Sequence, residues 1–218
     1  MSDFIIDDQW QLEMRSRVLV PHLYDVLYPG RYELLRGDHP MQARGIDTLV
    51  SAGERQITIE EKIVRWPFNK ETKQKADRPY TAFTLETMSC TVEGREKQGW
   101  MHYSEADYLL YCFAHPKSEV ALDCYMMDMK RLRSWFFGVE FNYAATVTEQ
   151  VNRTLCRVVP IKDVISAGVP VRRRRSGPNW PQEFFCEVCC DLACYGHGAS
   201  LLKGQIGRWY CAKHNIQR

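Results

Sequence analysis

Apolar residues recur along the 218-residue chain in two rhythms, one helical and one alternating. Over 8–27, Leu12, Leu19, Leu23 and Val26 fall at roughly helical spacing, with Asp7 or Asp8 placed to cap the first turn. Pro21 interrupts that pattern and predicts a kink or a second helix start. Strand-length segments follow at 32–35, 46–50, 57–64, 83–88, 108–113 and 120–127. Asp128 then reads as the cap of a short helix through Phe137, with Met129, Leu132 and Phe136 on one face. Two more strands are expected at 144–147 and 155–159. The order of elements predicts an α+β fold built on a mixed central β-sheet flanked by helices.

The pattern stops at Val171. The stretch Arg-Arg-Arg-Arg-Ser-Gly-Pro-Asn-Trp-Pro after it has no apolar periodicity and reads as a basic linker over 171–182. It divides a domain at 1–170 from a small module at 183–218. From Val171 onward eight Lys/Arg stand against three acids, a net +5; the first 170 residues of this +2 chain therefore carry −3. A basic tail suits a polyanion, and a mildly acidic body suits carboxylates that hold a cation. With 45% apolar residues the chain can build a core, which argues against wholesale disorder. No apolar run is long enough to span a bilayer, and the acidic start has no secretory features. A cytoplasmic protein without a membrane partner is expected.

The hairpin of 46–50 and 57–64 carries candidate chemistry. Gly53-Glu54 suits a two-residue type II′ turn, and a turn centred there sets Asp47 across from Glu60. Cross-strand partners share a face, and alternation adds Lys62 to it. Two carboxylates so close repel unless a proton or cation lies between them. A hard divalent ion, Mg²⁺ or Mn²⁺, satisfies them and can activate a water toward a phosphodiester. Lys62 could orient that water or neutralise developing charge. The plainer reading is a solvated face with a weak salt bridge.

Gly45-Ile46-Asp47 followed by Ile57-Thr58-Ile59-Glu60-Glu61-Lys62 resembles the D…ExK core of the PD-(D/E)xK nuclease superfamily. Gly99-Trp100-Met101-His102-Tyr103-Ser104-Glu105-Ala106-Asp107-Tyr108 is similar to the GW…S.AD[Y] segment of several phage-type and resolvase-like members. The resemblance implies a restriction-endonuclease-like fold and Mg²⁺-dependent cleavage of DNA, endonucleolytic in preference to exonucleolytic. It further implies Asp47 and Glu60 as metal ligands, joined by the backbone carbonyl of Glu61, with Lys62 assisting the water. Ile46 stands where the family name has proline. A homodimer would follow the habit of many nucleases of this fold, and host cytoplasm would be the setting if the chain is phage-encoded. Glu13 matches in kind an acidic helix residue that some members add to the metal site; its plainer reading is an exposed helix glutamate. Glu86, alternating with Thr84, could face the same cleft or be an ordinary strand-end charge. Asp107 reads as a turn or strand-start residue rather than a ligand, and Gly99-Trp100 as packing.

Five of the nine cysteines crowd between Cys186 and Cys211. Cys186-x₂-Cys189 and Cys211-x₂-His214 are two chelating pairs, 21 residues apart, that suit a structural zinc ribbon or treble-clef-like loop. Cys190, Cys194 and His197 are surplus and could replace one of these ligands. Lys203 and Arg208, with Arg172, Arg173, Arg174 and Arg175 in the linker, are candidates to contact nucleic-acid phosphates. The alternative to a nuclease is a non-catalytic zinc-containing nucleic-acid-binding or interaction protein, including an inactive nuclease-fold inhibitor.

Overall fold

The computed structural model describes residues 20–21, 23–25, 28–35, 38–65, 68–69, 74–75, 81–114, 122–147, 153–176, 184, 186–189, 193–199 and 207–215. Within them the chain is α+β with a mixed central sheet and few helices. The strands in chain order are β1 (Tyr32–Leu34), β2 (Thr48–Ala52), β3 (Arg55–Arg65), β4 (Phe68–Asn69), β5 (Gln74–Lys75), β6 (Ala82–Cys90) and β7 (Lys97–Gln98). They continue with β8 (Tyr108–Ala114), β9 (Leu122–Asp128), β10 (Ala145–Val147), β11 (Leu155–Pro160), β12 (Val171–Ser176), β13 (Tyr195–His197) and β14 (Arg208–Tyr210).

The central sheet has the order β1-β2-β3-β8-β9-β12, antiparallel throughout except where β3 and β8 run parallel. A second, antiparallel sheet has the order β10-β11-β6-β7. The two sheets share a core of Phe83 and Leu85 from β6, Leu109, Tyr111 and Phe113 from β8, and Tyr125 and Met127 from β9. Phe83 meets Tyr125 edge-on at 5.4 Å, a favoured aromatic geometry. The helix Met129–Val139 closes this core with Met129, Leu132 and Phe136, the three residues its spacing singles out. Asp128 caps it by accepting from the Arg131 amide at 2.8 Å. The opposite face of the central sheet buries Val50, Ile59, Leu110 and Cys112 under Val20, Leu23 and Tyr24, which belong to the helical residues around 20–25. Pro21 is helical there. The earlier part of the expected 8–27 helix, Glu13 included, lies outside the described residues.

The hairpin has the register expected from its turn. Thr48 pairs with Ile59 and Ala52 with Arg55 around Gly53-Glu54. Gly53 has φ +67° and Glu54 is not left-handed, as a type II′ turn requires. The linker expectation, by contrast, is corrected over its first half: 171–176 is strand β12, paired along its length with β9, while 177–182 lies outside the described residues. The run has no apolar periodicity because charged partners, not a hydrophobic face, hold its middle in place. Arg173 makes a bidentate contact with buried Asp123, through Nε at 2.9 Å and Nη2 at 2.6 Å, and lies over the Tyr125 ring at 5.2 Å.

Candidate functional site

Parallel pairing sets Glu60 beside Leu109 and Lys62 beside Tyr111, so both side chains face the space between the two sheets. Glu60 is 2% exposed, and Lys62 Nζ lies 2.6 Å from its Oε1. Lys62 also lies over the Trp100 ring, 5.5 Å from its centre. Burial raises the Glu60 carboxyl above its ordinary pKa; Lys62 opposes that shift, while Asp47 and Glu86 add to it. Burial pulls Lys62 down, yet the attraction of Glu60, Asp47 and Glu86 leaves it raised overall. Among the described residues, three carboxyl groups act on this one ammonium.

Asp47 reaches this neighbourhood differently from the hairpin expectation. The ladder stops at Thr48↔Ile59, and the Asp47 amide donates instead to the Ile59 carbonyl at 2.8 Å. Its Oδ2 accepts from the Glu61 amide at 2.8 Å, which fixes the carboxylate against β3. The Glu61 side chain is turned to the opposite face, where Thr48 donates to its carboxylate and Tyr24 packs beside it. Only its backbone could serve the Asp47 side. Glu86 is brought in from β6: burial raises its carboxyl, Lys62 opposes the shift, and the Trp100 amide donates to it. Tyr103, on the short helix Trp100–Tyr103, also lies near the cluster. Its phenol is raised by burial and feels Lys62, Glu60, Glu86 and Asp47. Nothing in the sequence pattern distinguished it.

The second motif string builds a latch around these residues. Gly99 lies so close to β6 that an added Cβ would meet the Glu86 carbonyl oxygen at 2.5 Å, and its amide donates to Thr87 at 2.8 Å. Only glycine lets Trp100 reach Lys62 from there. Buried Ser104 donates to the Gly45 carbonyl at 2.8 Å, two residues before Asp47. Gly45 has φ +66°, and a Cβ on it would meet the Ser104 Cβ at 2.8 Å. Asp107 sits in the bend just before β8, in keeping with the turn or strand-start reading, and its Oδ2 accepts from the Thr58 amide and hydroxyl at 2.9 and 3.0 Å. Arg133 caps the end of the short helix by donating to the carbonyls of Met101, His102 and Ser104.

The second candidate centre is at the C-terminal end. Cys186, Cys189, Cys211 and His214 have ligand atoms all within 4.8 Å of one another, the one such group among the described residues. Cys189 and Cys211 sulfurs are 3.7 Å apart; His214 Nδ1 is 3.5 Å from Cys186 Sγ and 3.3 Å from Cys211 Sγ. A tetrahedral ion with Zn–S of about 2.3 Å and Zn–N of about 2.0 Å needs edges of about 3.8 Å and 3.5 Å. The donor set fits a structural zinc and leaves no ligand position open. Burial would raise the Cys186 thiol, but amides of Cys211, Cys189 and Val188 pointing at its sulfur bring it down to about 6. Strands β13 and β14 form the supporting hairpin, with Phe184 stacked on Trp209 at 3.8 Å. Exposed Cys194 lies outside the four-residue group, and His197 pairs instead with Asn215 at 3.0 Å. Cys190 and Lys203 lie outside the described residues.

The basic candidates divide. Arg173 is engaged by Asp123 inside the fold. Arg172 and Arg174 each reach Glu187, between the first two zinc-site cysteines, at 3.5 Å. Arg208 is exposed on β14. Among the described residues, no helix is long and apolar enough to cross a membrane. No protein-family model, curated protein or solved structure matches the chain significantly.

Proposed function

We propose that the chain is a metal-dependent nuclease that hydrolyses DNA phosphodiester bonds at Asp47, Glu60, Lys62 and Glu86. The observation that carries this reading is the make-up of the cluster: among the described residues, the carboxyl groups of Asp47, Glu60 and Glu86 act on the one ammonium of Lys62. When all three are ionised they exceed it by two charges, which matches one divalent cation, and oxygen donors suit Mg²⁺ or Mn²⁺. The resemblance of the motif strings to the PD-(D/E)xK core, and with it a restriction-endonuclease-like fold, points the same way.

Asp47 and Glu60 would hold the ion, with Glu86 at the third side and the Glu61 carbonyl as a further donor. Bound there, Mg²⁺ supplies Lewis-acid polarisation of the phosphodiester and a water of lowered pKa. Lys62, kept protonated by its negative surroundings, donates hydrogen bonds to a water or to a phosphate oxygen as charge grows on it. Trp100 beneath the ammonium fixes its direction. The zinc module offers exposed Arg208 and Lys213 to the phosphate backbone, while Glu187 is drawn to Arg172 and Arg174.

One observation favours a second reading. The 2.6 Å Lys62–Glu60 pair satisfies both partners, as in a purely structural ion pair of a nucleic-acid-binding or inhibitor protein. A panel of linear, nicked, branched and single-stranded substrates, with Mg²⁺ or EDTA, separates the two. The nuclease reading expects cleavage with Mg²⁺ alone; binding without cleavage on every substrate selects the second.

A further inference from the structure

The short helix that seats Trp100 under Lys62 presents two other aromatic side chains to solvent. Tyr103 follows Trp100 by three residues, so the two share a side of the turn, and it remains 43% exposed. His102 packs its ring against Phe137 of the helix Met129–Val139 at 4.7 Å, and Phe137 is itself 38% exposed. Exposed Lys130 and Ser134 precede Phe137 by seven and three residues, along the same side of that helix. The helix carries Lys130, Arg131 and Arg133 and no acid. Arg133, through its three carbonyl contacts, ties the two helices into one surface.

What sets Tyr103 and the His102–Phe137 pair apart from the more exposed Phe141 is their place on the short helix that seats Trp100 against Lys62, where a flat ligand could cover a ring. The basic, acid-free helix selects a polyanion as that ligand. We propose that Tyr103, with the His102–Phe137 pair, forms a stacking subsite for an unpaired nucleobase next to the carboxylate centre. The preferred substrate is then a nucleic acid with an unstacked strand, single-stranded or branched, and not uninterrupted duplex. This rests on the nuclease reading and names the substrate class for the same site. A duplex keeps its bases stacked on one another, so it cannot use the ring faces without first opening.

The test uses the full chain with Ca²⁺ in place of Mg²⁺ and short oligonucleotides carrying 2-aminopurine, whose fluorescence is quenched by stacking. The arms are single-stranded DNA, single-stranded RNA of the same sequence, and duplex DNA. Wild type should bind a single strand with quenching, and Tyr103→Ala should weaken that binding about tenfold and relieve the quenching. Tyr103→Phe should retain both, and Phe137→Ala should weaken binding in the same sense. Duplex affinity should change little in any variant. Preference between the DNA and RNA arms identifies the sugar. Binding of the single strand that is unchanged in Tyr103→Ala overturns the subsite and leaves the nuclease reading standing. A wild type that binds none of the three overturns both.

Discussion

Glu60 and Glu86 hold their protons to higher pH in the folded chain than a free glutamate does at about 4.3, chiefly because both are buried. Above that value the folded protein binds more protons than the unfolded chain. This contribution to stability is therefore complete below about pH 4.3 and is lost as pH rises through the folded values. A divalent cation that takes the ionised carboxylates works in the opposite direction. Thermal melts without divalent ion should thus show a stability decrement from these two groups as pH rises from about 4.5 to about 7. Mg²⁺ should raise the midpoint more at the upper end of that range than at the lower, and Glu60→Gln should reduce the difference. A midpoint indifferent to Mg²⁺ at every pH would count against a cation at this cluster.

At the scale of elements, the contact between β6 and the helix Trp100–Tyr103 sets the geometry. Gly99→Ala places a methyl group 2.5 Å from the Glu86 carbonyl oxygen, where only backbone can yield. Urea unfolding should show a loss of about 2 kcal/mol, and cleavage should fall further than stability does because Glu86 and Trp100 move apart. Strand β12 offers a contrast within four residues. Arg173, 17% exposed, holds Asp123, so Arg173→Ala should cost about 3 kcal/mol. Arg172 is 67% exposed, and Arg172→Ala should change stability by less than about 1 kcal/mol. Equal, small effects at both positions would restore the linker reading.

These two elements also show what a sequence can and cannot disclose. The register of β2 on β3 was legible because Gly53-Glu54 dictates it locally. The buried face of the helix Met129–Val139 was legible because 3.6-residue spacing dictates it too. The strand β12 was not, because its charges are held by Asp123 and Glu187, which no local pattern links to it. The same holds for the site. Glu60 and Lys62 share a face by alternation, but Asp47 leaves the ladder, and Tyr103 arrives through a glycine contact between distant segments.

For the whole molecule, the Cys/His cluster and the central sheet are joined through Glu187. The knuckle between Cys186 and Cys189 presents that carboxylate to Arg172 and Arg174 on the outermost strand. A module this small cannot bury enough surface to hold its shape unaided, so an ion held by Cys186, Cys189, Cys211 and His214 would be part of its fold. One zinc per chain should be recovered on denaturation. After chelation, amide hydrogen exchange should accelerate across 186–189 and 207–215 and at β12, and stay slow at β3 and β8. Unchanged exchange at β12 would mean that the Glu187 contacts do not couple the two parts.

The central claim is that the carboxylates around Lys62 perform metal-dependent phosphodiester hydrolysis. Its most direct test is Mg²⁺-dependent cleavage by wild type, Glu60→Ala and Lys62→Ala, each first shown to be folded by near-ultraviolet circular dichroism. The account predicts cleavage by wild type that EDTA abolishes, and a loss of at least about a hundredfold in each folded variant. Cleavage that persists in both variants, or a folded wild type that cuts no substrate with Mg²⁺ or Mn²⁺, would contradict it.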